Sequence, residues 1–352
     1  MPKHTTTAPS VPARTIGLDL SDRTLRYCEI DAAGTIIAEG ALKLTRAALC
    51  QYLAAQPAGT RVALETGGQS AWVRDVITGL GHEAVVANAR ELAAVTQSLQ
   101  RTDQRDARQL ARLARLDPEL LNPVTLRDAA RQADLCVIRA RATLVEVRTK
   151  LINFARAVTK LVGHRLPAAA SHRFAERVRA AVPEALAPAL GPLLAVLETL
   201  EEQLAGYDAQ VETLAAEQYP ETRWLQQVPG VGTLTALTFV LTVGPPERFA
   251  HSRDAGAFLG LVPRRRQSGE CDPHLGITKS GDRYLRRLLV QCAHVLLGRW
   301  GADCALRQWG LAHAQSRAQK KRTVVAVARK LAVLLHRLWR RQEVFRPFPQ
   351  AA

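Results

Sequence analysis

The chain is poor in aromatic residues: Phe, Trp and Tyr make up 5% of 352 residues. Its composition therefore advertises no stacking platform for nucleic-acid bases. It has no run of 18 or more apolar residues, so no segment is expected to span a bilayer. The cysteines (Cys28, Cys50, Cys136, Cys271, Cys292 and Cys304) include no C-x-x-C pair. That argues against a structural zinc site and for reduced thiols in a cytoplasmic protein. The first fourteen residues, MPKHTTTAPSVPAR, lack the apolar core of a signal peptide and read as a disordered lead-in. Acids are short as well, at 32 Asp plus Glu against 48 Lys plus Arg, a net charge of +16. Such a surplus calls for a polyanion, with nucleic acid the first candidate and a membrane surface the second.

Against that basic background one acidic stretch stands out. Arg101–Arg108 reads RTDQRDAR and places Asp103 and Asp106 three positions apart at an expected helix start. At that spacing both project from one face, roughly 5–6 Å apart at Cβ. Arg101, Arg105 and Arg108 surround them. Paired carboxylates among arginines suit a divalent cation that meets a polyanion. The simpler alternative is two acids favoured by the positive end of a helix dipole.

The N-terminal part alternates strands and helices. Thr15–Leu20, Leu25–Ile30 and Thr35–Glu39 read as a meander, with a turn at Asp31–Gly34. Ala41–Ala55 can be helical, Arg61–Glu65 is a short apolar strand, Ser70–Leu80 a helix, Glu83–Ala87 a strand and Asn88–Gln97 a helix. This is the pattern of a mixed α/β sheet. Asp19 and Glu65 fall at or near the C-terminal ends of their strands, where such sheets commonly bind ligands. With Asp103 and Asp106 they make four carboxylates, enough oxygen donors for one or two Mg²⁺ or Mn²⁺ ions. Two ions about 4 Å apart are a known device for phosphodiester chemistry. Singly, Asp19 can start a turn and Glu65 can cap the Ser70 helix.

The middle reads as long helices. From near Leu126 onward, Val137, Leu144, Val147, Leu151, Phe154, Val158 and Leu161 lie on one side. Leu193, Leu197, Leu200, Leu204, Tyr207, Val211 and Leu214 then alternate steps of four and three, a heptad spacing. Either an antiparallel intrachain pair or the arm of a dimer fits. Beyond Pro220, Val228–Thr233 (VPGVGT) resembles a helix-hairpin-helix turn, in which the backbone at Gly230 and Gly232 can hold a DNA phosphate.

Phe258–Asp282 is loop-like and carries Arg264, Arg265 and Arg266, then Ser268, with Lys279 and Ser280 further on. A serine hydroxyl can attack a phosphodiester and form a covalent intermediate, with arginines offsetting the charge. A loop serine can equally be a turn former. Between Ser316 and Arg341 there are nine Lys/Arg and no acid, with an apolar stripe at Val324, Ala328, Leu331, Leu335 and Leu338. Lys320, Lys321 and Arg322 open this stretch, which reads as a docked helix with a nucleic-acid-facing side.

Together IGLDLSD (Ile16–Asp22), ALETGG (Ala63–Gly68), RTDQRDAR, VPGVG, RFAHSRDAGAFLGLVPRRRQSG and TKSGDRYLRRLL (Thr278–Leu289) resemble the IS110 family of insertion-sequence transposases, which includes the Piv-like DNA invertases. The resemblance implies a RuvC-like, RNase H-type first domain whose metal-binding DEDD residues are Asp19, Glu65, Asp103 and Asp106, with Mg²⁺ as cofactor. It implies Ser268 as nucleophile. It also implies guidance by a structured bridge RNA that pairs with donor and target DNA. The expected organisation is a lead-in (1–14), a RuvC-like DEDD domain (15–120), a coiled-coil-like connector (121–220), a mainly helical serine-bearing domain with the helix-hairpin-helix-like element (221–342) and a tail (343–352). A homodimer or higher homo-oligomer, associated with the bacterial nucleoid and not with a membrane, is expected. A metal-dependent structure-specific nuclease and a non-catalytic nucleic-acid-binding protein are the alternatives. An actin-like sugar kinase would need further glycine-rich phosphate loops, which the chain does not show in convincing form.

Overall fold

A computed structural model describes residues 12–89, 102–267 and 275–348. The chain divides into two compact units, Met1–Ala129 and Ala130–Ala352.

The first unit is built on five strands: β1 (Arg14–Leu20), β2 (Thr24–Asp31), β3 (Ile36–Lys43), β4 (Arg61–Glu65) and β5 (Glu83–Ala87). Their order in the sheet is β3-β2-β1-β4-β5. The first three strands form an antiparallel meander. Its second turn is closed by Gly34 N–H donating to Asp31 O at 3.0 Å, and Gly34 takes a φ of +91° that a glycine adopts without strain. β4 and β5 then add in parallel to β1. Helices α1 (Arg46–Ala54), α2 (Ser70–Gly79) and α3 (Asp103–Leu116) accompany the sheet.

Strand alternation sorts the side chains between two faces. Ile16, Leu18, Val62 and Leu64 enter one core with Leu49 of α1 and Ile77 of α2. Ala63, Val85 and Ala87 face the other way, toward Leu110 and Ala114 of α3. Cys28 and Ile30 meet Ala107 and Ala111 on that same side. Helix α3 thus buries a stripe stepping by three and four residues, three of whose members are alanine. Small residues let it lie close to the sheet.

Two boundaries differ from expectation. β3 runs on to Lys43 and α1 starts only at Arg46, rather than a helix opening at Ala41. Gly40 is a packing site and not a breaker, because the Tyr27 ring occupies the space a Cβ would need. The helix expected over Asn88–Gln97 lies largely outside the described residues.

The second unit is helical: α4 (Ala129–Leu161), α5 (Ala187–Thr213), α6 (Thr233–Val243), α7 (Arg283–Leu297), α8 (Ala305–Ala312) and α9 (Arg317–Arg341), with shorter turns between. Arg141 pairs with Asp208 at 2.5 Å, and seven residues further along α4 Arg148 pairs with Glu201 at 3.0 Å, seven residues back along α5. The two long helices are therefore antiparallel neighbours within one chain. Along α5 the heptad members Leu197, Leu204, Val211 and the following Leu214 are buried. On α4 the stripe differs from expectation: the helix begins at Ala129, not Leu126, and Leu135, Ile138, Ala142, Ile152 and Ala155 are buried while Phe154 and Leu161 are exposed. Ala142 and Ala155 at the contact permit close approach, a choice that side-chain hydrophobicity alone does not signal.

The main core of this unit surrounds α6, where Thr235–Val243 is buried throughout. α7 and α9 pack around it. On α9, Val324, Ala328, Leu331, Leu335 and Leu338 are buried, as the sequence stripe predicts. Among the described residues no helix is long and apolar enough to cross a membrane.

Candidate active site and nucleic-acid surface

The acids of the first unit are brought to one end of one sheet face. Gly17 of β1 lies against the backbone of α3, where a Cβ would collide with Ala107 O and come within 2.5 Å of Ala111 N. Asp19, two residues on, points to that same face. The parallel register pairs Gly17 with Ala63 and Leu18 with Leu64, so Asp19 and Glu65 come next, side by side. Ala63 packs on α3, which places Glu65 on the α3 face as well. The direction of α3 completes the arrangement. Arg61, at the start of β4, donates to Ala114 O at 2.9 Å near the C-terminal end of α3. The first turn of α3, with Asp103 and Asp106, therefore lies toward the C-terminal ends of β1 and β4. Asp19, Glu65 and Asp106 are half-buried and Asp103 is exposed.

Local sequence explains the helix start. Thr102 is extended (φ −141°), and its hydroxyl accepts from Arg105 N–H at 3.3 Å. Two acids in the first turn suit the positive helix end, and Arg115 the last turn. Rotation of α3 is set by a clamp that sequence reading missed. Glu39 of β3 accepts a forked pair of hydrogen bonds from Arg108, one of them at 2.5 Å, and a third from Gln104 Nε2 at 3.1 Å. Gln104 also donates to Tyr27 O at 3.1 Å. The Arg108 guanidinium, with help from Gln104, holds the Glu39 carboxyl down at about 2. Burial and the neighbouring Glu39 push the Cys28 thiol up to about 12, which makes it inert packing. Arg108, expected to contact nucleic acid, pairs with Glu39 and so also positions α3. Arg105 remains on the exposed side of the helix, and Arg101 lies outside the described residues.

By donor type the four carboxylates fit a hard divalent cation: all are oxygen ligands, on one face, and three are half-buried. Among the described residues, however, no three His, Cys, Asp or Glu side chains stand close enough together to hold a metal ion. The acids share a location without forming a closed coordination shell.

In the second unit, Val228–Gly232 links a short helix at Thr222–Gln226 to α6. Gly230 adopts φ +84° and packs on α7, where a Cβ would come within 3.2 Å of Cys292 O. Gly232 is extended, exposed and occupies the N-cap of α6. Ser268 lies outside the described residues. The chain on either side of its segment is tied together: Arg264 N–H donates to Gly276 O at 2.9 Å, Thr278 N–H to Val262 O at 2.9 Å and Lys279 N–H to Gly260 O at 3.1 Å. Gly260 and Gly281, both with positive φ, interlock two backbones that a Cβ would force apart. Arg286 of α7 reinforces the join by donating to Leu259 O at 3.0 Å and Ser280 O at 2.8 Å. Asp282 caps α7 by accepting from Leu285 N–H at 2.7 Å, and Arg139 of α4 pairs with it. Arg264, Arg265, Arg266 and Lys279 are exposed around this base, and Lys320, Lys321 and Arg322 are exposed on the first turns of α9.

Two family models match separate stretches of the chain, the first of them reaching beyond the boundary between the two units. Residues 16–163 match the model of a DEDD transposase domain of the IS110 type. Residues 222–309 match the model described as transposase IS116/IS110/IS902 family. The chain is 29% identical over 338 residues to the transposase for insertion sequence element IS1111A of Coxiella burnetii, covering 94% of this chain and 91% of the relative. It is 31% identical over 291 residues to the transposase for insertion sequence element IS1328 of Yersinia enterocolitica, covering 81% and 84%. A probable family 20 transposase of Pseudomonas aeruginosa is 28% identical over 340 residues, covering 94% and 98%. The chain belongs to the IS116/IS110/IS902 family of transposases.

Proposed function

We propose that this DNA transposase cuts and rejoins DNA through Ser268, with Asp19, Glu65, Asp103 and Asp106 as its metal-binding acids and a bridge RNA as its guide. The carrying observation is that strand register and the course of α3 set all four acids at one end of one sheet face. The sheet order, an antiparallel meander extended by two parallel strands, supports a RuvC-like, RNase H-type domain. Asp19, next to last in β1, and Glu65, last in β4, sit on paired strands that fix their backbones. Asp103 and Asp106 ride on α3, held by the Glu39 clamp. Bound there, Mg²⁺ or Mn²⁺ would supply charge stabilisation and activation at a phosphodiester oxygen.

Ser268 would attack phosphorus through Oγ, giving a phosphoserine link and releasing a DNA 3′- or 5′-hydroxyl. Reversal by a hydroxyl of the new partner strand would restore the serine. Arg264, Arg265 and Arg266 precede it and offset negative charge on phosphorus. The backbone-directed chemistry of an exposed basic surface, with few aromatics, is compatible with base pairing to an RNA carrying the sequence choice.

The test is Ser268→Ala assayed on suicide substrates for protein–DNA adducts. Adducts should vanish while DNA binding stays. Adducts that persist remove Ser268 as nucleophile. Hydrolysed ends with no adduct in the wild type would favour a metal-dependent nuclease instead.

A further inference from the structure

A cavity of about 660 Å³ lies between the base of the serine-bearing segment and the first turns of α9. Its size is within the range of about 300–1,000 Å³ typical of small-ligand sites. One wall is the paired backbone at Val262–Arg264 and Gly276–Thr278, fixed by the hydrogen bonds described above. The floor is apolar, with Leu261, Pro263, Ile277, Val325 and Ala326. The rim carries Arg264, Arg265, Lys321, Arg322 and Arg329, and among the described residues no acid lines it. Arg329 is held in place by its stem, which passes over Gly256 so closely that a Cβ there would come within 3.1 Å of Cγ. Arg264, Lys321, Arg322 and Arg329 around one apolar hollow create a local positive potential that an anion relieves.

We propose that this cavity receives one unstacked nucleotide of a DNA strand, its base on the apolar floor and its phosphates on the cationic rim. The proposal rests on the DNA-transposase reading above and extends it to a specific subsite. A duplex backbone alone would use the rim and leave the floor exposed, whereas an unpaired nucleotide satisfies both. Its base leaves the strand at least cost where pairing is already lost, so the cavity favours melted or nicked DNA over intact duplex. Among the described residues no aromatic ring lines it, so they hold the base by shape and apolar contact, not by stacking.

The test uses the full chain and a short thymidine oligonucleotide carrying one 2-aminopurine, with the matched intact duplex as comparison. 2-Aminopurine is dim while stacked on neighbouring bases, and should brighten severalfold on entering a cavity that has no ring to quench it. Gly276→Leu adds bulk at the lining without a clash, because Gly276 lines the hollow and a Cβ there meets nothing within 4 Å. That variant should lose the brightening and its preference for single strands while binding duplex as before. Ala326→Phe is the second filling variant, should the first lower the melting temperature. Arg322→Ala with Arg329→Ala should weaken oligonucleotide binding at least tenfold and flatten its salt dependence by about one to two in log–log slope. Brightening that persists in both filling variants, or oligonucleotide that binds the wild type without brightening, overturns the cavity proposal and leaves the transposase reading standing. Absence of binding to any DNA overturns both.

Discussion

Gly17 of β1 and Ala107 of α3 meet backbone to backbone, with no room between them for a single added carbon. That contact sets how near the acid-bearing helix lies to the strand that carries Asp19. Gly17→Ala should therefore push α3 off the sheet. Overpacking of this kind costs about 1–3 kcal/mol, and backbone contacts that cannot rotate away favour the upper end. Urea denaturation should show a lower midpoint, and DNA cleavage should fall further than stability alone explains. A variant as stable and active as the wild type would contradict this placement of α3.

Glu39 is predicted to act through α3, as a positioning residue. Glu39→Gln keeps the shape but removes the charge that holds the Arg108 fork. Its activity should fall while DNA affinity stays within about twofold, because the acids lose orientation and the basic surface is untouched. A pH signature accompanies it. The Glu39 carboxyl is held at about 2 in the fold against an ordinary 4.5. A depressed carboxyl contributes stability that is present above the ordinary value and is lost as pH falls from there toward the folded one. Melting curves across that window should be less acid-sensitive in Glu39→Gln than in the wild type. Equal acid sensitivity would remove the clamp's electrostatic role.

Asp103 offers a direct test of the metal assignment, since it is exposed and its loss should leave the core intact. Calorimetric titration with Mn²⁺ should show wild-type binding that Asp103→Asn weakens about tenfold or more, and Asp19→Asn likewise. Circular dichroism should be unchanged for Asp103→Asn. Undiminished Mn²⁺ affinity in both would remove these acids from the site.

His336 on α9 is expected to contribute pH dependence to the second unit. It is fully buried, with Nδ1 3.0 Å from Ser252 Oγ and Nε2 2.9 Å from Pro246 O. The carbonyl accepts, so Nε2 carries the hydrogen and Nδ1 accepts from the serine in the neutral ring. Burial pushes its pKa below the usual histidine value of 6.5, and Arg340 acts in the same direction against the pull of Pro246 O. The fold therefore holds a neutral ring while the unfolded chain takes up a proton near pH 6.5. Stability from this group is full above that pH and declines as pH falls below it. The melting temperature should drop between about pH 7.5 and about 5, and His336→Asn should lower the starting value while shrinking that drop. An unchanged slope would assign the effect to other histidines.

Much of the first unit was legible because its signals are local. β1, β4 and β5 follow from short apolar runs bounded by turns, and Thr102 followed by acids marks the start of α3. The clamp was not legible: Glu39, Gln104 and Arg108 belong to segments more than sixty residues apart in sequence, and nothing in either segment names the other. The apolar stripe of α4 was misplaced for a related reason. Phe154 and Leu161 are the more hydrophobic residues, yet Ala142 and Ala155 are buried because small side chains let neighbouring helices approach.

By itself the sequence determined the basic character of the protein and its alternation of strands and helices followed by long helices, while its motifs pointed to the family and to four candidate acids. These depend on composition, period and spacing, which a linear chain carries whole. Tertiary structure decided what those residues face. It set Asp19 beside Glu65 through strand register, seated the helix that carries Asp103 and Asp106 on Gly17, paired Arg108 with Glu39, and folded the walls of a cationic cavity from segments about sixty residues apart. Register, close approach and pairing are relations between distant residues, and only the packed chain specifies them.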